Sequence, residues 1–227
     1  MKRAVLFDLF GTLVPSQPLD SYRGMVDAVA ETLDVPIDDF FPEWMKVNDG
    51  RLSGKFGSSE TEIEVVASVF GVTPSADQMA KCVEVRRETV LSWLTPKPGA
   101  LEALEKLRSD GVQVALVSDC VFDVPATWHR SPLSAKFNTT VFSCEMKVRK
   151  PDRRMYEAAL TELQLEPAQA VFVGDGGSGE LDGAKDVGID AYLLDESGID
   201  TNVLRVDVKA WDGPRISSLS EVPGLVR

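Results

Sequence analysis

Residues Val5 to Leu13, Val-Leu-Phe-Asp-Leu-Phe-Gly-Thr-Leu, constrain the chain more than any other stretch. The run Ala4 to Phe7 is apolar at every position, the pattern of a strand buried on both faces. A carboxylate, Asp8, follows at once, and Gly11 lets the backbone turn sharply soon after. In an open α/β sheet, ligands gather just beyond the carboxyl ends of the strands. Asp8 is therefore expected at the mouth of a sheet, held by the strand behind it.

From Gly99 onward the chain repeats this theme. Leu101, Leu104 and Leu107 predict a helix that stops near Gly111, and Val112 to Ser118 is an apolar, β-branched strand. A weaker strand spans Phe137 to Ser143, and a helix runs from Asp152 to Leu163. Ala170 to Val173 is another buried strand ending in Gly174-Asp175, followed by a helix from Leu181 to Val187 and a strand from Ala191 to Leu194. Short apolar strands separated by helices imply a mainly parallel sheet covered on both faces. Val203 to Val206 and the segment near Trp211 are candidate edge strands.

The stretch between Pro15 and Thr95 is different. It carries helical spacing at Met25, Val29 and Leu33, and a second short helical pattern from Phe40 to Val47. Asn48-Asp49-Gly50 reads as a turn, a Gly/Ser-rich stretch follows, and two more helices are expected at Glu60 to Phe70 and Asp77 to Leu94. The expected organisation is thus an α/β, doubly wound (Rossmann-like) parallel sheet from residues 1–14 and 96–227, with a small α-helical domain, residues 15–95, inserted into its first strand-to-helix connection.

The formal net charge of −12 argues against nucleic acid or an anionic membrane as a general partner, since both demand basic patches. Cys82, Cys120 and Cys144 form no C-x-x-C pair, so neither a zinc site nor a disulfide framework is expected. The apolar run after Met1-Lys2-Arg3 is too short for a signal peptide, and no stretch reaches membrane-spanning length. A cytoplasmic protein, monomer or homodimer, is the expectation.

Four strand ends carry polar residues. The first offers Asp8. The second is Val114-Ala115-Leu116-Val117-Ser118-Asp119, the third Lys147-Val148-Arg149-Lys150-Pro151-Asp152, and the fourth Val173-Gly174-Asp175 with Glu180 a few residues on. Taken in order, with a helical insert after the first, they resemble the four motifs of the haloacid dehalogenase superfamily, over roughly Val5 to Leu194. The resemblance implies a nucleophilic Asp8 and a Mg²⁺ ion held by Asp8, the carbonyl of Phe10 and Asp175, with Glu180 binding directly or through water and Asp182 as its competitor. It implies that Ser118 and the N–H of Asp119 hold phosphoryl oxygens of a small phosphorylated molecule, while Lys150 balances charge and orients Asp8. It also makes the insert a cap over the site, with Arg51 and Lys55 as candidate substrate contacts. An ionised carboxylate needs no base to act as a nucleophile, and a hard divalent cation suits an oxygen-rich site.

One position departs from the phosphatase pattern. Phe10 stands where phosphatases of the superfamily carry a second Asp that protonates the leaving oxygen, help worth about 10²–10⁴-fold. Three readings are open: a phosphatase whose leaving group needs no acid or which recruits one from the insert, a 2-haloacid dehalogenase, or a non-catalytic protein. Dehalogenases carry an aromatic at this position but resemble Ser-Ser-Asn where this chain has Gly174-Asp175-Gly176, and carry Asn where it has Asp119. The retained acids favour the phosphatase. Cys120 and His129, the sole histidine, read as a buried thiol and a stray imidazole.

Overall fold

The computed structural model describes residues 1–196 and 211–226. The described strands are Ala4–Phe7 (β1), Gln113–Ser118 (β2), Thr139–Phe142 (β3), Ala170–Gly174 (β4), Asp190–Leu194 (β5) and Arg215–Ile216 (β6). They form one sheet in the order β3-β2-β1-β4-β5-β6, and every neighbouring pair is parallel. Chain order reverses between β1 and β4, so a crevice opens at their carboxyl ends.

Alternate residues of each strand serve opposite faces. Val5 and Phe7 join Leu116 and Val173 in one apolar cluster, whereas Ala4 and Leu6 join Val117 and Phe172 in the other. The second cluster is closed by Arg153–Leu163 (α9) and Glu180–Val187 (α10). The first is closed by Ala100–Ser109 (α6) and by the short C-terminal helical turn of Leu219–Val226, and it runs on into the helices between β1 and α6.

Those helices are Leu19–Thr32 (α1), Ile37–Lys46 (α2), Asn48–Leu52 (α3), Ser59–Val69 (α4) and Ala76–Trp93 (α5). Ser58 and Ser75 cap α4 and α5 by accepting N–H bonds from Thr61 and Gln78, which fixes where the two helices start. Three short helices were not expected. Asn48-Asp49-Gly50 opens α3 rather than a turn: the chain bends at Val47 and resumes with an Arg51 N–H to Val47 carbonyl bond of 3.0 Å. Asp123–Trp128 (α7) holds Pro125 in its first turn, where a missing N–H costs nothing. Ser143–Met146 (α8) is a single turn after β3.

The expected edge strand near Trp211 is β6, four residues further on, while Val203 to Val206 lies outside the described residues. Among the described residues no helix is long and apolar enough to cross a membrane.

Candidate active site

The site grows from the reversal between β1 and β4. The Asp8 N–H donates to the Val173 carbonyl at 3.0 Å, so sheet pairing continues one residue beyond β1. The backbone then folds back, with N–H groups of Leu13 and Val14 on the Leu9 carbonyl and Gly11 at φ +85°. Only glycine takes that conformation without strain. It also clears space, because a Cβ on Gly11 would stand 2.3 Å from Asp175 Oδ2. The turn delivers Thr12, fully buried, whose hydroxyl donates to Asp8 Oδ2 at 3.0 Å.

Lys150 reaches the same point from the loop after α8. Its buried ammonium lies 2.5 Å from Asp8 Oδ1 and 2.5 Å from Glu180 Oε2. Glu180 opens α10, and its other oxygen, Oε1, accepts the Gly176 N–H at 3.0 Å. The Tyr156 hydroxyl, from α9, donates to the Glu180 carbonyl at 2.7 Å. Asp175, one residue past β4, accepts the Gly177 N–H at 3.0 Å through Oδ1. Oxygens of Asp8, Asp175 and Glu180 all lie within 4.8 Å of one another, the spacing of a metal-ligating group. Asp119 Oδ1 accepts the Lys150 N–H at 2.9 Å, while its Oδ2 and the Ser118 hydroxyl are enclosed with no hydrogen-bond partner.

Burial alone would push the Lys150 ammonium down, but Asp8, Glu180 and Asp119 together outweigh it and hold the pKa well above that of a free lysine. Burial pushes the Glu180 carboxyl well up, helped by Asp8 and only partly opposed by Lys150. Asp119 is raised for the same reason, with Lys150 partly offsetting.

The group faces a cavity of about 140 Å³. Asp8, Phe10, Asp119, Lys150, Asp175 and Glu180 line its sheet side, and α1, α2, α3 and α5 supply the opposite wall, which includes Arg51. The other expected residues fall elsewhere. Ser118 ends β2 fully buried behind the cavity wall, and Lys55 is exposed away from it. Asp182 and Lys147 are exposed, which leaves Glu180 and Lys150 as the residues at the carboxylates. Cys120 is a buried thiol on the cavity wall, and His129 is exposed. Thr12 and Tyr156 went unmarked in the sequence. Thr12 had a signal, a hydroxyl four residues after Asp8, whereas Tyr156 looks like any apolar-face residue of α9.

Comparison with known proteins gives the family. The family model for haloacid dehalogenase-like hydrolases matches residues 2–188, and the chain belongs to that family. A glyceraldehyde 3-phosphate phosphatase of Methanopyrus kandleri is 27% identical over 83% of this chain and 82% of its own length. A phosphorylated carbohydrates phosphatase of Thermotoga maritima is 28% identical over 82% of both. The crystal structure of a 2-haloacid dehalogenase from Pseudomonas syringae superposes with a TM-score of 0.72 at 23% identity, covering 100% of this chain and 98% of that one.

Proposed function

We propose that this hydrolase is a Mg²⁺-dependent phosphatase of small phosphate monoesters, acting through an aspartyl-phosphate on Asp8. One observation carries the reading: three carboxylates and one ammonium, from separate parts of the sequence, meet in a buried cluster beside a cavity. Ionised together they leave two uncompensated negative charges, which in a dry site are costly unless a cation is present. A hard divalent ion fits both the charge and the oxygen donors. Asp8, Asp175 and the carbonyl of Phe10 would hold it, with Glu180 behind Lys150, since both Glu180 oxygens already have protein donors. When bound, the ion lowers the repulsion between Asp8 and an anionic phosphoryl group.

The chain's own groups do the rest. An Asp8 oxygen attacks phosphorus, the ester P–O bond breaks, and its electron pair leaves with the alcohol oxygen. Water then attacks the aspartyl-phosphate, releasing phosphate and restoring the carboxylate. Thr12 and Lys150 fix the Asp8 carboxylate, and the N–H of Asp119, on the cavity lining, serves the phosphoryl oxygens. Phe10 offers no proton, so substrates whose leaving groups depart readily as anions, the phenolate of an aryl phosphate or the carboxylate of an acyl phosphate, should react fastest. The helical segment 15–95 acts as the cap that encloses them. The relatives named as phosphatases support this reading. The aromatic at position 10 favours the alternative of dehalogenation.

The experiment is turnover of p-nitrophenyl phosphate, acetyl phosphate and 2-chloropropionate, with Mg²⁺ and with EDTA. Phosphate release abolished by EDTA and by Asp8→Asn, with the circular dichroism spectrum unchanged, is the expected result. Chloride release indifferent to EDTA would instead establish a dehalogenase. No turnover and no metal uptake would remove the enzymatic reading.

A further inference from the structure

We propose that the group esterified to the phosphate is apolar and about the size of one ring, seated against Phe10, Tyr22, Trp44 and Trp93. The phosphate end of this inference rests on the phosphatase reading; the other end stands on separate observations. Opposite the carboxylates, the cavity wall carries Tyr22, Trp44 and Trp93 with Met25, Met45, Leu52 and Val90 among them, and Phe10 adds a ring from the sheet side. Such a wall accepts apolar surface without forming a single hydrogen bond.

More decisive is where the polar handles of that wall point. The Trp44 indole N–H donates to the Tyr22 hydroxyl at 3.0 Å, and the Trp93 indole N–H donates to Ser21 at 2.9 Å. Arg51, the wall's obvious candidate for gripping a polar ligand, is engaged by the protein itself. Its guanidinium donates to the Trp44 carbonyl at 2.6 Å, to the Tyr22 hydroxyl at 2.8 Å and to Asn48 Oδ1 at 2.9 Å, and it stacks 4.3 Å from the Trp44 ring centre. Arg86, also on the wall, is held by Glu62, Asp123 and the Ser59 carbonyl. The network therefore presents mainly ring faces: the donors left over are the Tyr22 hydroxyl hydrogen and Arg86 Nε, which has no partner among the described residues, and Ser16, Gln17 and Asn48 join the lining. A polyhydroxylated substrate would bury hydroxyls there with few partners, which costs affinity.

Volume points the same way. A dry cavity of roughly 150 Å³ suffices for benzene, and the cavity here is about 140 Å³. Since the phosphoryl group shares that space, the occupant beyond it is no larger than a single ring or a comparably compact apolar chain.

The test is binding of phenylphosphonate and methylphosphonate to the wild-type protein with Mg²⁺, by calorimetry, with glucose 6-phosphate as the polar comparison. Phosphonates cannot be hydrolysed, so leaving-group chemistry does not enter. Phenylphosphonate should bind about 10–100-fold more tightly than methylphosphonate, the worth of burying one ring. Trp93→Leu should erase most of that preference while methylphosphonate affinity stays constant. Should the variant fail to fold, the wild-type ratio decides by itself. Equal affinity for the two phosphonates, or tighter binding of glucose 6-phosphate, overturns this proposal and leaves the phosphatase reading intact. Failure of both phosphonates to bind overturns the phosphate end, and this inference with it.

Discussion

Replacing Gly11 with alanine tests the site's construction at its tightest point. Two costs arise separately. The backbone at Gly11 has φ +85°, and a left-handed conformation costs an L-residue roughly 1–2 kcal/mol. The new Cβ would sit 2.3 Å from Asp175 Oδ2, 2.8 Å from Asp175 Cγ and 3.1 Å from Ser16 Oγ. Ordinary contact begins about an ångström further out, so the Asp175 carboxylate must retreat by roughly that much. We expect a stability loss of about 1–3 kcal/mol. In a chain of 227 residues that lowers Tm by roughly 2–12 °C, at about 2–4 °C per kcal/mol. Misplacing a reacting group by about 1 Å costs on the order of 10²-fold in rate, so kcat/KM should fall about a hundredfold at a temperature where the variant is folded.

Gly24 supplies the matched control. It lies exposed in α1, without a positive φ, and a Cβ there meets nothing within 4 Å. Gly24→Ala should stabilise by about 0.5–1 kcal/mol, the helix preference for alanine, with unchanged kinetics. Thermal unfolding and Mg²⁺-dependent phosphate release measure both variants. A Gly11→Ala protein with wild-type Tm and kcat/KM within twofold of wild type would refute the proposed crowding between this turn and Asp175.

Lys150→Met leaves Asp8 and Glu180 as unpaired buried carboxylates, so it should cost about 3–5 kcal/mol and abolish turnover. The Glu180 pKa is raised in the folded protein, so its contribution to stability is largest at low pH and declines as pH rises; without Lys150 the raised pKa climbs further. Urea melts should therefore find Lys150→Met more stable at pH 5 than at pH 8. Arg86→Met strands Glu62 and Asp123 in the same way, at about 3–5 kcal/mol, readable as a lower urea midpoint. Asp152 caps α9 by accepting the Arg154 N–H at 3.0 Å, and its pKa is lowered to about 2 by Arg154's side chain and backbone N–H. Asp152→Ala should cost about 0.5–2 kcal/mol at neutral pH. Because the folded pKa is depressed, the wild-type advantage should be present above about pH 4 and fade as pH falls toward 2. Lys55→Ala, at an exposed position off the cavity, should leave kcat/KM within twofold and stability within about 0.5 kcal/mol.

The strands were legible because a parallel sheet buried on both faces demands unbroken apolar runs, and Ala4 to Phe7, Val114 to Val117 and Ala170 to Val173 supply them. Asp8 and Asp175 were legible because each follows such a run, and Lys150 because it stands with Pro151 just ahead of the next helix. The short helix α3 was not. Its residues spell a turn, and the Arg51 contacts to Trp44, Tyr22 and Asn48 accompany the helical form. Arg51 and Lys55 looked alike in sequence, two cations in one Gly-rich stretch, yet one is buried in the cavity wall and the other faces water. Nothing local separates them, because burial is decided by what lies across the fold.

The sequence by itself determined the alternation of strands and helices, the helical insert and the chemical type of each rim residue, since periodicity and strand-end chemistry are properties of neighbours along the chain. Tertiary structure alone decided that Asp8 and Asp175 share one corner, that Glu180 holds Lys150 where Asp182 does not, and that the aromatic wall spends most of its polar groups on itself. Those outcomes depend on strand order and on contacts between residues far apart in the chain, 142 positions for Asp8 and Lys150, and such pairings leave no trace in any short stretch of sequence.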